Sequence, residues 1–373
     1  MPHVMSQLLH PTALDVFLRD HASQRPCHVR GAADRHARWF DWSALDDVLN
    51  AAPAPHPALR LVNPHTGSVS PGTAAEAIAA LRQGMGLVLE QADRYHAGLA
   101  DLAEAVSAEL DEPCRVNAYA TGPSMAAFPL HADTHDVFVL HIAGRKRWRI
   151  TGPSLPDPLF HPSLQPQTPP DDVTPTLQAT LAPGDTLYIP RGHWHEAIAV
   201  DGPSLHLTVA VFRTTGMNLI AALAEELYAS PLWRAALPMA VGPAVRDAGQ
   251  VSDADAAHLQ ALAASLAERM ADPGLLTRLR ASRLAQATPR RPFAVSAHMG
   301  VASTGRYRSQ PATVRVEHRE DGVLLHIAGR DLWLPSGVRG AVHVLLGGEA
   351  FHIDDVVQAA DLDADAVQRI VDD

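Results

Sequence analysis

Residues 129–150 read PLHADTHDVFVLHIAGRKRWRI, and this stretch decides how the chain is read. His131, Asp133, His135 and Asp136 crowd together and then run straight into an apolar segment. Charge at the mouth of a buried strand is costly unless it is paired or bound to a metal. In an extended chain residues i and i+2 share a face, so His131 and Asp133 point into one cavity while Ala132 faces away. One imidazole and one carboxylate do not fill a metal's coordination shell. A further histidine must therefore return to the same cavity from a later strand, and PGDTLYIPRGHWHEA (183–197) supplies two candidates, His193 and His195.

Two histidines and one carboxylate leave coordination positions open, which is the arrangement of non-haem Fe(II) oxygenases. A structural zinc site is instead closed by four ligands, usually with cysteine. The chain has only Cys27 and Cys114, far apart and outside any ligand spacing, and both are expected to be small buried residues. Downstream of an expected hairpin turn at Ala143-Gly144-Arg145, Lys146, Trp148 and Ile150 alternate onto one face and Arg147 and Arg149 onto the other. Two readings of Lys146 stay open on spacing alone. Buried beside iron, it holds the distal carboxylate of 2-oxoglutarate; in a basic GRKRWR run, it faces solvent.

Around this segment, residues 113–212 form short β-rich runs (VFVLHIA, KRWRIT, TLYIP, EAIAV, SLHLTVAVF) separated by turn signals. Such spacing predicts a β-sandwich or barrel, with a type II turn at Pro183-Gly184. Before it, residues 1 to about 110 mix short helical and strand-like pieces with Pro-rich loops such as AAPAPHPAL. After Arg213 the chain turns helical. TTGMNLIAALAEELY follows a Thr cap, SDADAAHLQALAASLAERM opens on a Ser-x-x-Asp capping box, and PGLLTRLRASRLAQ follows a Pro-Gly break. ATPRRPF reads as a linker; short strands and Asp-started helices beyond it suggest a winged-helix-like module.

The bulk numbers exclude some classes. At 373 residues the chain has room for two or three domains. No window approaches the roughly 20 apolar residues that cross a bilayer, and the N-terminus shows no secretory pattern. With two lone thiols, the expected location is cytoplasmic. The net charge of −11 argues against nucleic acid as a partner, and more than half of it sits in the last 23 residues, where seven Asp face one Arg. That balance suits a basic polypeptide partner.

Taken together, HADTHDVFVLHIAGRKRWRI, LAPGDTLYIPRGHWHEA and the opening FLRDHASQRPCHVRGA resemble the JmjC hydroxylases, and within them the ribosomal oxygenase (cupin-4) group. His21 departs from the aromatic often found at its position in that opening. The resemblance covers most of the chain, and its motif set is specific where His-x-Asp alone is weak. It implies a mainly β fold with α elements: a double-stranded β-helix (jelly-roll) catalytic domain with an N-terminal extension over 1–212, a helical dimerisation segment over 213–292 and a winged-helix-like domain over 293–373. It implies His131, Asp133 and His195 as iron ligands, the P-R-G-x-x-H register selecting His195 over His193. Lys146 matches the residue for the distal carboxylate of 2-oxoglutarate; Asn117, Tyr119 and Thr208 match cosubstrate contacts. His135 and His141 are expected to be structural or cavity-lining, Asp136 to order the turn into its strand, and Arg191 and Gly192 to shape the loop that presents the last ligand.

The implied cofactors are Fe(II), 2-oxoglutarate and O₂, with no catalytic side chain beyond the metal centre. The implied substrate is an Arg or His side chain of a basic protein, ribosomal in this group, handled by a homodimer. A ribosomally made natural-product precursor peptide is the alternative substrate. Rival readings are a non-oxygenase metal-dependent cupin, which has no reason for Lys146 at its spacing, and a DNA-contacting regulator, against which the acidic tail counts.

Overall fold

A computed structural model describes residues 3–51, 56, 58–63, 67–71, 73–122, 128–164, 168–169, 171, 174–237, 253–285, 314–327, 330–347 and 351–360. The expected linker 287–293, the cap at Ser252, most of the loop 51–59 and the tail beyond 360 lie outside them.

Thirteen strands are described: β1 (Cys27–Val29), β2 (Leu59–Asn63), β3 (Gly67–Val69), β4 (Gly86–Leu89), β5 (Cys114–Thr121), β6 (His131–Ala132), β7 (Asp136–Pro153), β8 (Leu177–Leu181), β9 (Thr186–Ile189), β10 (His193–Val211), β11 (Val314–His318), β12 (Gly322–Ile327) and β13 (Arg330–Pro335). The first ten make one antiparallel sheet in the order β1-β9-β7-β10-β5-β4-β2-β3, with β6 on β10 and β8 on β7. The run VFVLHI is buried on both faces, which explains its lack of alternation. Val137 and Val139 join Trp148, Ile150, Leu181, Leu187 and Ile189 in one core. Phe138, Leu140 and Ile142 join a second, built with α1 (Val4–Leu9), α2 (Leu14–Asp20), α3 (Trp42–Ala51), α4 (Ala74–Arg82) and α5 (Ala97–Leu110). Phe17 of α2 seals it, lying 4.8 Å from Tyr188 and 5.5 Å from Phe138 between ring centroids. The type II turn is present: Gly184 takes φ +87° and the Asp185 N–H donates to the Ala182 carbonyl at 3.0 Å.

One expectation is corrected. Ala143-Gly144-Arg145 is not a hairpin turn, and EAIAV and SLHLTVAVF are not separate strands. β7 runs unbroken for 18 residues beside β10 for 19. Gly144 at φ +71° sits against Pro203, with Asp201 (φ +61°) and Gly202 (φ +130°) beside it in β10, where the register shifts between Val200 and Leu205. These residues absorb a bulge that bends both strands without reversing either.

Among the described residues, those up to Arg213 group with those from 337 to 360, and those from 214 to 285 with those from 314 to 336. The second unit holds α6 (Gly216–Leu227), α7 (Pro231–Arg234), α8 (Asp253–Met270), α9 (Leu275–Ala285) and the antiparallel sheet β11-β12-β13. The Thr cap is present as a capping box, Thr215 with Asn218.

Candidate metal centre

β6 and β10 bring the two ends of the sequence motif together. Their pairing sets His131 directly opposite His195, and the two rings lie 4.3 Å apart between centroids. Asp133 follows at the end of β6, with Oδ2 3.6 Å from His195 Nε2. One ligand atom from each of the three lies within 4.8 Å of the others.

Each imidazole is oriented through its other nitrogen. His131 Nδ1 lies 2.9 Å from the Pro129 carbonyl and His195 Nδ1 3.0 Å from the His193 carbonyl. With Nδ1–H donating to backbone, the Nε2 lone pairs are left for a metal. Burial, together with the charge of His131, pushes His195 down to about 4, so its ring is neutral at pH 7. Burial would raise the Asp133 carboxyl, but His195, His135 and His131 outweigh it and hold the group below its ordinary value. A neutral His195 imidazole and an ionised Asp133 carboxylate fit a divalent metal, and together with His131 these residues could hold one.

The loop before β10 is tied to this constellation. The Gly192 N–H donates to the Asp133 carbonyl at 2.7 Å, with Gly192 at φ +80°. Asp136 accepts the Arg191 N–H at 3.0 Å, the Tyr188 hydroxyl at 2.9 Å and an Arg213 N–H at 3.2 Å. Arg191 and Gly192, the residues expected to shape this loop, are both held through their backbone N–H groups. His193 is buried outside the cluster, because the register of β10 against β7 shifts between His193 and His195.

The three residues open into a cavity of about 270 Å³. Lys146 lines it, 2% exposed, its Nζ donating to Thr121 Oγ1 at 3.0 Å. The solvent-facing reading of this lysine is excluded; burial pushes it down to about 7. Among the described residues no carboxylate pairs with it. Asn117, Tyr119 and Thr208 line the same cavity. Asn117 accepts the Gln91 N–H through Oδ1 at 2.8 Å and donates to Tyr119 Oη at 3.4 Å. Tyr119 is pushed up to about 12, chiefly by burial, and stays a phenol. His135 lines the cavity, whereas His141 is a buried structural residue with Nε2 3.0 Å from the Gly144 carbonyl.

Residues 89–219 match the JmjC domain family. Over these residues the chain resembles a JmjC domain. Ribosomal oxygenase 1 of Bos taurus is 42% identical over 99 residues, covering 26% of this chain and 15% of that protein. A bifunctional lysine-specific demethylase and histidyl-hydroxylase NO66 of Aedes aegypti is 37% identical over 122 residues, covering 32% and 19%. The chain thus spans less than a fifth of these curated relatives. Across 97% of its length it shares the fold of the Escherichia coli ribosomal oxygenase YcfD (TM-score 0.66, 17% identity, 96% of that chain), solved with cobalt and 2-oxoglutarate. The fold of the JmjC domain is accordingly the cupin jelly-roll.

The sequence pattern did not single out His206, Thr121 or Phe128. His206 lines the cavity two residues before Thr208, a spacing that places both on one face of β10. Thr121 is found only through pairing: it stands opposite Ser204 on β10 and takes one Lys146 hydrogen bond.

Proposed function

We propose that this protein is an Fe(II)- and 2-oxoglutarate-dependent oxygenase that hydroxylates an amino-acid side chain of a protein or peptide. The observation that carries the reading is the Lys146 ammonium, buried in the cavity of the His131–Asp133–His195 cluster with no counter-charge among the described residues. A buried ammonium is costly without an anion, and a dicarboxylate ligand would supply one. His131, Asp133 and His195 would hold iron, and Lys146 the distal carboxylate, with Asn117, Tyr119 and Thr208 shaping the wall between them. Iron so held would supply activation of O₂ for C–H oxidation at the expense of 2-oxoglutarate, which leaves as succinate and CO₂. The chain's own work is to bind, orient and exclude water.

For the substrate we favour an Arg or His side chain of a basic ribosomal protein, supported by the names of the relatives and by the net charge of −11. A natural-product precursor peptide is the second candidate, and no nucleic acid is required. A homodimer through the helical segment is supported by Met217, Ile220 and Tyr228, apolar and 45–69% exposed on or just after α6. A winged-helix-like module over 293–373 and a cytoplasmic location complete the proposal; no described helix is long and apolar enough to cross a membrane. The test is O₂ consumption by the Fe(II)-loaded protein with 2-oxoglutarate, followed by mass spectrometry of cellular proteins with and without the enzyme. Oxygen uptake coupled to succinate, and the gain of one oxygen on a protein or peptide residue, are expected. A non-oxygenase cupin would show neither.

A further inference from the structure

The cavity holds more chemistry than the lysine. His206 is 2% exposed, lines the cavity, and makes no hydrogen bond recorded among the described residues. Its ring is clamped: stacked on Tyr119 at 4.9 Å and 11°, edge-on to Trp148 at 5.5 Å, with His141 behind it at 6.4 Å. Clamped aromatic neighbours on a strand flanked by β5 and β7 leave the imidazole little rotational freedom. Burial, then the charges of Lys146 and His141, push it well below its ordinary value, so it is neutral and carries one N–H.

The tautomer follows from the surroundings. Nδ1 is fully enclosed with no partner among the described residues. Placing the proton there would bury a donor with nothing to receive it, whereas leaving Nδ1 bare strands only an acceptor, the less severe of the two. The proton therefore belongs on Nε2. Among the other cavity-lining groups Asn117 accepts the Gln91 N–H through Oδ1 and donates through Nδ2 to Tyr119 Oη. A carboxylate has about four acceptor sites, which the Lys146 ammonium, already donating to Thr121, does not fill by itself.

Resting on the reading of the cavity as a 2-oxoglutarate site, we propose that His206 is the second donor to the distal carboxylate: its Nε2–H hydrogen-bonds the group that pairs with Lys146, and so helps select a dicarboxylate over a keto acid lacking that group. His206 is then a binding and selectivity residue with no part in holding the metal.

The test compares the dissociation constants of 2-oxoglutarate and 2-oxobutyrate, which keeps the keto acid and lacks the distal carboxylate, on Co(II)-loaded protein by calorimetry. His206→Phe keeps a ring against Tyr119 but removes the donor; His206→Gln restores an N–H near the Nε2 position. The preference for 2-oxoglutarate should fall about 10- to 100-fold in His206→Phe, as for the loss of a hydrogen bond to a charged group. His206→Gln should recover most of it, and Co(II) affinity should be the same in all three proteins. A preference in folded His206→Phe within twofold of wild type overturns the assignment. Should that variant not fold, ¹⁵N-histidine spectra of the wild type decide, with the His206 signal identified by its loss in His206→Gln. Its Nε2 resonance must move on adding 2-oxoglutarate and not on adding 2-oxobutyrate; equal responses overturn the proposal. A wild type that binds no 2-oxoglutarate overturns the oxygenase reading and the His206 assignment together, whereas tight binding untouched by His206→Phe removes only the latter.

Discussion

At the scale of single residues, Lys146 makes the most exacting demand. It is pushed down to about 7 by burial, while an unfolded lysine titrates near 10.5. Between those values the unfolded chain binds more protons than the folded one, so this group makes the ligand-free protein more stable as pH rises from about 7 towards 10.5. Ligand binding has the opposite sign, because a carboxylate needs the charged ammonium. The affinity for 2-oxoglutarate should therefore weaken above pH 7, by up to about tenfold per pH unit. Calorimetry across pH 6–9 checks this, and Lys146→Met should bind more weakly with the slope removed. Persistence of the same slope in Lys146→Met would assign the titration elsewhere. Asp133 works in the other direction: held below its ordinary value by three histidines, its carboxyl stays ionised at neutral pH.

At the scale of elements, two loops decide whether the site forms. The Pro190–His193 loop touches both ends of the metal cluster, Gly192 through the Asp133 carbonyl and His193 through His195 Nδ1, and Asp136 holds it at Arg191. Asp136→Ala should raise the dissociation constant for Co(II) by about 10- to 100-fold, in line with other losses of support behind metal ligands. Titration of Co(II) absorption reads this without turnover. The bulge at Gly144 is the second device. A side chain there would collide with the Pro203 carbonyl in a backbone conformation of positive φ. Gly144→Ala should cost about 1–3 kcal/mol, measured from the denaturant midpoint at unchanged slope.

These elements also show what could be read from the amino acids alone. The His-x-Asp alternation, the shared face of Lys146, Trp148 and Ile150, and the Pro-Gly turn are local rules, and they held; that this face is buried at Lys146 was left open by spacing alone. The supposed hairpin at Ala143-Gly144-Arg145 failed because glycine marks a reversal and a bulge alike; only the partner strand, bulged at the same level, distinguishes them. That bulge likewise hides Thr121, whose role comes from strand pairing across 25 residues of chain to Lys146. His206 was within reach of the period of two through Thr208, but an isolated histidine in an apolar strand carries no mark of facing a cavity.

At the scale of the whole molecule, the N-terminal helices cover one face of a strand that is apolar on both, leaving the other face of the sheet to enclose the site. Leu140, fully buried, packs with that covering layer; Leu140→Ala should cost about 2–5 kcal/mol of stability while leaving Co(II) affinity intact in the folded fraction. Thermal unfolding and metal titration on the same sample separate the two effects. The acidic charge acts at longer range. If the substrate is basic, its affinity should fall as salt rises past about 0.15 M, where the Debye length is about 8 Å.

The most direct measurement of the central claim is the binding of 2-oxoglutarate to this protein with and without a divalent metal. Tight binding to the Co(II)-loaded wild type, lost on removing the metal, in His131→Ala and in Lys146→Ala, is the predicted result. Equal binding with and without metal, or binding indifferent to Lys146, would contradict the account.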